Sequence, residues 1–272
     1  MFCFDQLIVG NKNQFNKKSN KHQNEIIYGK NACFGCIQVY NNGLKNRSIY
    51  SIFLLQSKFD EYLKKIPKEL HNLVQKCNSH DLFSITHEQD KHQGIALKVS
   101  NFHFTDLEQT IEMVENKKNK KSVIFFLDRI QDPHNVGNII RSSFCFDIDA
   151  IVLTERDSCG ITPAVVRTSA GYSENSLICQ VGNSSVAIEK LKKYGYIVVG
   201  FDVNINTQDS LMNVIDKYNK LVFIFGSEGQ GMKDLTKKNC DLIIKLPMNP
   251  QAESLNVANT VAIAGWEVMK AK

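Results

Sequence analysis

The chain holds no apolar run approaching the roughly 18 residues that a membrane-crossing helix needs, so no membrane span is expected. Its first ten residues, Met1 to Gly10, lack a basic start and a small-residue cleavage pattern. They predict no signal peptide and, with it, a cytoplasmic location or its equivalent. Metal-ligand spacing is also missing. Of the eight cysteines (Cys3, Cys33, Cys36, Cys77, Cys145, Cys159, Cys179 and Cys240) only Cys33 and Cys36 stand as C-x-x-C, and no second pair or H-x-x-x-H completes a zinc set. The remaining cysteines lie mostly in or beside apolar stretches, where a free thiol acts as a small hydrophobe, and no metal is expected. Charge of one sign does not dominate either. The 33 Lys and Arg against 28 Asp and Glu leave +5, which permits an anionic partner such as RNA without requiring one.

What is present is an ordinary 43% apolar content over 272 residues, enough for two domains or one large one. Residues 11–24 (NKNQFNKKSNKHQN) are too polar to offset the entropy of ordering, so residues 1–24 are expected to form a flexible extension. Residues 25–100 read as a small α/β unit. Ser48–Leu55, Phe83–Ile85 and Ala96–Val99 look strand-like, and Ala32–Tyr40 and Lys68–Asn78 helical. Residues 101–121 carry a short amphipathic stretch (Leu107, Ile111, Val114) and the Lys/Asn run Lys117–Lys121, and are expected to link two domains. From residue 122 to 272, Val-, Ile- and Phe-rich runs at 123–127, 150–153, 177–181, 196–201, 221–225 and 242–246 alternate with helical stretches. Short continuous apolar runs separated by helices predict a parallel sheet covered on both faces, with ligands gathered beyond the carboxyl ends of its strands.

Three segments follow such strands. In the first, residues 128–141 (DRIQDPHNVGNIIR), Val136, Ile139, Ile140 and Phe144 make a helical stripe that starts near Asn135, a plausible N-cap. Gly137 and Arg141, four apart, share a face, and the missing side chain is expected to leave room for the guanidinium at the helix's positive end. The second segment, FGSEGQGM at residues 225–232, has three glycines in six residues. Its G-x-x-G-x-G order is neither the dinucleotide fingerprint nor a phosphate loop, and Glu228 at its centre suits a cationic or hydrogen-bond-donating partner. The third, residues 246–259 (LPMNPQAESLNVAN), leads into a last helix capped by Ser254 or Asn256.

In this order and spacing the three segments resemble the signature motifs of the SpoU/TrmH family of RNA ribose 2′-O-methyltransferases. Ile27-Tyr28-Gly29 and His92-Gln93-Gly94-Ile95 look like the substrate-binding domain of bacterial large-subunit ribosomal RNA guanosine methyltransferases. The resemblance implies an α/β protein: a small (L30e-like) substrate-binding domain, then a parallel-sheet domain of the SPOUT class tied into a deep trefoil knot, one of the exceptions to unknotted topology. It implies S-adenosylmethionine as cofactor, a homodimer with the site near its interface, and large-subunit ribosomal RNA as partner. Carried over by position, Gly226, Leu246, Met248, Leu255 and Asn256 would hold the donor, and Asn135, Arg141, Glu228, Ser254 and Asn256 would form the catalytic cluster. Asn138 and Asp147 depart from the family pattern, where a small apolar residue and a glycine are usual.

Methyl transfer from a sulfonium is an in-line displacement, so the 2′-oxygen must be aligned with the departing sulfur and must lose its proton. Arginine, with a pKa above roughly 12, is a poor base at neutral pH. Arg141 is therefore expected to grip the phosphate beside the target ribose, with Glu228 and Asn135 orienting it and Ser254 or Asn256 placing the sugar. The alternatives are a transfer-RNA ribose methyltransferase and a non-catalytic RNA-binding protein. A dehydrogenase is disfavoured because no G-x-G-x-x-G follows the strand 123–127.

Overall fold

The computed structural model describes residues 24–272 except 42–45, 118–120, 206–208 and 230, so residues 1–23 of the expected extension lie outside the described residues. The first sheet contains β1 (Glu25–Tyr28), β2 (Ile49–Leu55), β3 (Val74–Cys77) and β4 (Ile95–Val99), interleaved with helices α1 (Lys30–Asn41), α2 (Phe59–Leu63) and α3 (Ser79–Thr86). Its order is β1-β4-β2-β3. β4 runs antiparallel to both neighbours, and β3 is parallel to β2.

Two local expectations fail in this unit. Phe83–Ile85 belongs to α3 and not to a strand, because Asn78 and Asp81 exchange side-chain-to-backbone hydrogen bonds in a capping box that commits the following residues to a helix. Residues 68–78 are a 3-10 turn (Lys68–Leu73) followed by β3, not a helix. Val74–Cys77 gain their ladder from Ile52–Leu55, a partner that local spacing does not reveal.

Within the stretch expected to link the domains, α4 (Leu107–Glu115) is capped by Asp106, whose side chain accepts from the Gln109 N–H. Leu107, Ile111 and Val114 are buried with Ile124, Val152 and Cys179 of the second sheet. The amphipathic stripe thus belongs to the core of the C-terminal half.

That half is built on six parallel strands: β5 (Ser122–Leu127), β6 (Ala150–Thr154), β7 (Ile178–Val181), β8 (Ile197–Phe201), β9 (Lys220–Phe225) and β10 (Leu242–Ile244). Each corresponds to one of the six apolar runs. Along β5 the side chains alternate between two cores. Val123, Phe125 and Leu127 face one side, and Ile124 and Phe126 the other, all fully buried. Burial on both faces is why the runs are continuous and not alternating. Each such side chain contributes roughly 1.5–3 kcal/mol. The helices are α5 (Pro133–Cys145), α6 (Pro163–Thr168), α7 (Tyr172–Asn175), α8 (Ser184–Lys193), α9 (Leu211–Lys217), α10 (Asp234–Lys238) and α11 (Val257–Ala271). The strand order β10-β8-β9-β5-β6-β7 reverses direction at β5 and places β8, β9 and β10 together on one side.

The two sheets are joined by direct contact. Arg47, 5% exposed, pairs with Glu25 at 2.7 Å and with Glu174 of α7 at 3.1 Å, and donates to the Ser100 and Ile161 carbonyls. Gly35 of α1 lies against Gly171, where a Cβ would stand 2.7 Å from the Gly171 carbonyl oxygen. Among the described residues no helix is long and apolar enough to cross a membrane, and no group of three His, Cys, Asp or Glu is placed to hold a metal.

Candidate active site

The loops after β8, β9 and β10 enclose a cleft of about 610 Å³, within the usual range for small-molecule sites. Its position outside the carboxyl ends of parallel strands follows from the doubly wound architecture.

α5 reaches the cleft through Asn135, which is bonded to Glu228 and Asn256 of its lining. Asp132, not Asn135, is the N-cap of α5: the Asp132 carboxylate accepts from the His134 N–H at 2.9 Å, and Pro133 fills the first helical position, where no N–H is needed. Asn135 sits two residues further in, 7% exposed. The local rule for caps was right in kind and misplaced by three residues, since Asp132 and Asn135 both satisfy it.

The glycine-rich segment after β9 folds into a tight turn. The Gly231 N–H donates to the Ser227 carbonyl at 2.9 Å, and Gly229 and Gly231 take positive φ of 78° and 64°. At Gly226 a Cβ would stand 2.3 Å from the Gly231 carbonyl carbon and the Met232 nitrogen, so only glycine lets the loop close on itself. This turn carries Glu228 at its tip.

The third segment ends at Asn256, which caps α11 through Oδ1, accepting from the Ala258 N–H at 2.8 Å. Of the two candidate caps, Asn256 is the one used. Its Nδ2 donates to Glu228 Oε1 at 2.9 Å and to Asn135 Oδ1 at 3.1 Å, while Asn135 Nδ2 donates to the same Glu228 oxygen. The three side chains form a closed ring, and Glu228 Oε2 has no hydrogen bond among the described residues. Two amide donors, one from α5 and one from the cap of α11, hold Oε1 in place.

Glu228, Ser254 and Asn256 line the cleft together with Gly226, Leu246, Met248 and Leu255. Asn135 joins through the ring. Arg141 does not. It is exposed on α5, six residues beyond Asn135 and so about 120° round the helix. No hydrogen bond or ion pair engages it among the described residues. The expected role of Gly137 is corrected. A Cβ there would stand 2.6 Å from Thr168 Cβ and 3.1 Å from the Ser169 nitrogen, so the missing side chain admits α6 and makes no room for a guanidinium.

The cleft also includes residues that the sequence did not single out, chiefly Phe201, Asp202, Asn204, Met232, Lys237 and Ile244. Asp202 carries an ion pair with Lys237 at 2.6 Å. Burial works against ionisation of Asp202, but that ammonium and the Asn204 and Val203 N–H groups outweigh it and hold the carboxyl below its ordinary value. The only signal for it in the sequence was its place directly after an apolar run.

A flat base-sized group suits the apolar walls of Phe201, Ile244, Leu246, Met248 and Leu255, and a polar one suits the edges. The residues therefore fit an adenosine-bearing ligand.

Residues 122–266 match the SpoU rRNA methylase family, and residues 26–105 match the family described as RNA 2′-O ribose methyltransferase substrate binding. An uncharacterized tRNA/rRNA methyltransferase of Synechocystis is 32% identical over 198 residues, spanning 73% of this chain but only 50% of that relative. The 23S rRNA (guanosine-2′-O-)-methyltransferase RlmB of Coxiella burnetii is 29% identical over 244 residues, covering 83% of this chain and 96% of that one. Among solved structures, the SpoU methyltransferase AviRb of Streptomyces viridochromogenes with AdoMet bound superposes with a TM-score of 0.71 at 16% identity, over 91% of this chain and 89% of its own.

Proposed function

We propose, for a chain that belongs to the SpoU rRNA methylase family, that it transfers a methyl group from S-adenosylmethionine to a ribose 2′-hydroxyl in RNA, and that the substrate is a guanosine of large-subunit ribosomal RNA. The observation that carries this reading is the ring of Asn135, Glu228 and Asn256 at a cleft walled by Gly226, Leu246, Met248 and Leu255. The rRNA assignment is supported by likeness to the Coxiella enzyme along nearly its whole length and by the match of residues 26–105.

When bound, the donor supplies an electrophilic methyl on a sulfonium. The chain's own part is to hold and orient. Gly226 and the walls formed by Leu246, Met248 and Leu255 bind the adenosine portion. The ring holds Glu228 Oε1 with two amides and leaves Oε2 free to orient a guanidinium or accept from the ribose hydroxyl. Ser254, exposed in the lining of the cleft, hydrogen-bonds the entering sugar. Arg141 grips the neighbouring phosphate.

The reading includes a homodimer and a cytoplasmic setting. Ile263, Trp266 and Met269 leave a row of large apolar side chains on α11 that are 42%, 51% and 47% exposed, and Phe144 beside Cys145 does the same on α5. Arg141 lies on that same helix, so pairing would deliver it to the partner's cleft. The reading also includes the trefoil knot. After β9 the chain passes beyond β8 to form β10 and then returns to set Asn256 beside Asn135.

The test is to map 2′-O-methyl groups by resistance to alkaline cleavage in cells with and without the gene. Loss of one guanosine methyl from large-subunit rRNA is expected. Loss from a transfer RNA would replace the rRNA assignment, and no change in any RNA would overturn the reading. Mixing Arg141→Ala with Asn256→Ala protein tests pairing. Activity regained in the mixture is expected, and none regained refutes delivery between subunits.

A further inference from the structure

We propose that Arg129 is a positioning residue for methyl transfer, holding the base of the glycine-rich turn whose tip carries Glu228, an inference that rests on the methyl-donor reading of the cleft. Arg129 follows the end of β5 and takes a φ of 62°, a left-handed backbone that favours glycine. Two neighbouring strands fix it there. The Asp128 N–H extends the ladder to the Phe225 carbonyl at 2.8 Å, and the Arg129 N–H donates to Thr154 Oγ1 at 3.1 Å. A long side chain kept at such a backbone angle points to a task for that side chain.

The side chain is only 12% exposed and reaches a residue 102 positions along the chain, Nη2 donating to the Gly231 carbonyl at 3.3 Å. Ser227 Oγ donates to the same carbonyl at 3.3 Å. Gly226 and Gly231 both line the cleft, and a Cβ on Gly226 would stand 2.3 Å from the Gly231 carbonyl carbon, so the two residues touch. A shift of that carbonyl therefore moves the donor side of the cleft and the turn that bears Glu228. Asn135 and Asn256 hold this turn at its tip, and Arg129 holds it at its base. Neutralising Asp128 does not by itself account for the arginine. Asp128, 1% exposed, already accepts from Ser184 Oγ at 3.4 Å and Thr236 Oγ1 at 3.2 Å, and Arg129 Nε lies 3.7 Å from it, beyond hydrogen-bond reach. The buried carboxylate anchors the cation, and the guanidinium fork carries the contact on to the carbonyl.

The experiment compares the wild type, Arg129→Met and the double variant Arg129→Met with Asp128→Asn, which removes the charge left without its cation. Amide hydrogen exchange at Gly231, whose N–H donates to the Ser227 carbonyl, reads the turn itself, and calorimetry with S-adenosylhomocysteine reads the cleft. In the double variant Gly231 is expected to exchange about tenfold faster while β5 and β9 keep their protection. S-adenosylhomocysteine is expected to bind about tenfold more weakly, and the KM for RNA to stay unchanged. Wild-type exchange and affinity in the double variant overturn the inference, because Arg129 would then serve only to balance Asp128. Should the double variant fail to fold, Arg129→Lys decides: it keeps a charge beside Asp128 but lacks the fork, the same two losses are expected, and wild-type values overturn the inference. A wild type that binds no S-adenosylhomocysteine overturns the donor reading and the role assigned to the clasp with it, whereas slow Gly231 exchange in a variant lacking Arg129 overturns the clasp alone.

Discussion

Asn256 Nδ2 reaches Asn135 Oδ1 at 3.1 Å across 121 residues of chain, and the same nitrogen reaches Glu228. One amide side chain thus serves as helix cap through its oxygen and as the clasp of the ring through its nitrogen. The two tasks can be separated by substitution. Asn256→Asp keeps the cap and sets a carboxylate against Glu228, whereas Asn256→Ser keeps a cap and leaves the ring open.

Both variants are expected to retain stability to within about 1 kcal/mol of each other, because the cap survives in each. Turnover is expected to fall in both, and further in Asn256→Asp, by about 100-fold or more, because like charges at contact reorient Glu228. Thermal unfolding together with single-turnover methylation checks this. An Asn256→Asp enzyme as active as wild type would remove the ring from the chemistry.

Gly137 is buried in α5 against Thr168 and Ser169. In an open helix, Gly→Ala would stabilise by about 1 kcal/mol. Here the contact with Thr168 Cβ and the Ser169 backbone decides the sign, and Gly137→Ala is expected to destabilise by about 1–3 kcal/mol, Gly137→Val by more. Urea denaturation of Gly137→Ala with and without Thr168→Gly checks the cause, since the second change returns part of the loss.

Arg47 is the cation between the two sheets. Arg47→Met leaves Glu174, 1% exposed, without its partner and is expected to cost about 3–5 kcal/mol. Burial raises the Glu174 carboxyl, and Arg47 offsets part of that rise. A folded-state pKa above the unfolded value means the native state binds more protons, so stability falls as pH rises through that interval. Removing Arg47 widens the interval. The deficit of Arg47→Met is therefore expected to shrink as pH is lowered toward the ordinary glutamate value, and unfolding at about pH 5 and about pH 8 measures it. A deficit that is constant with pH would show that lost packing, not charge, is responsible.

Trp266 is half-exposed on α11 and meets Phe146 edge-on at 6.1 Å. If α11 covers a second copy, Trp266→Glu is expected to yield a monomer in sedimentation with little change in unfolding temperature and to retain S-adenosylhomocysteine binding through its own cleft. Unchanged mass would assign the exposed row to something other than self-association.

The sequence by itself determined the strands of the C-terminal half and narrowed the cap of α11 to Ser254 or Asn256. Val123–Leu127 and its counterparts are apolar on both sides because both faces are covered, and that is a property of composition over a few residues. Asn256 before Val257 is a cap in any context that admits a helix. The tertiary structure alone decided what lies beside what. The order β10-β8-β9-β5 sets Asp202, Glu228 and Leu246 around one cleft although three separate loops carry them. It also turned Gly137 from a gap for Arg141 into a seat for Thr168 and made Val74–Cys77 a strand. Periodicity and capping are enforced by neighbours within a turn or two of chain. Adjacency across 121 residues is enforced only by which apolar faces pack together, and no local spacing records that choice.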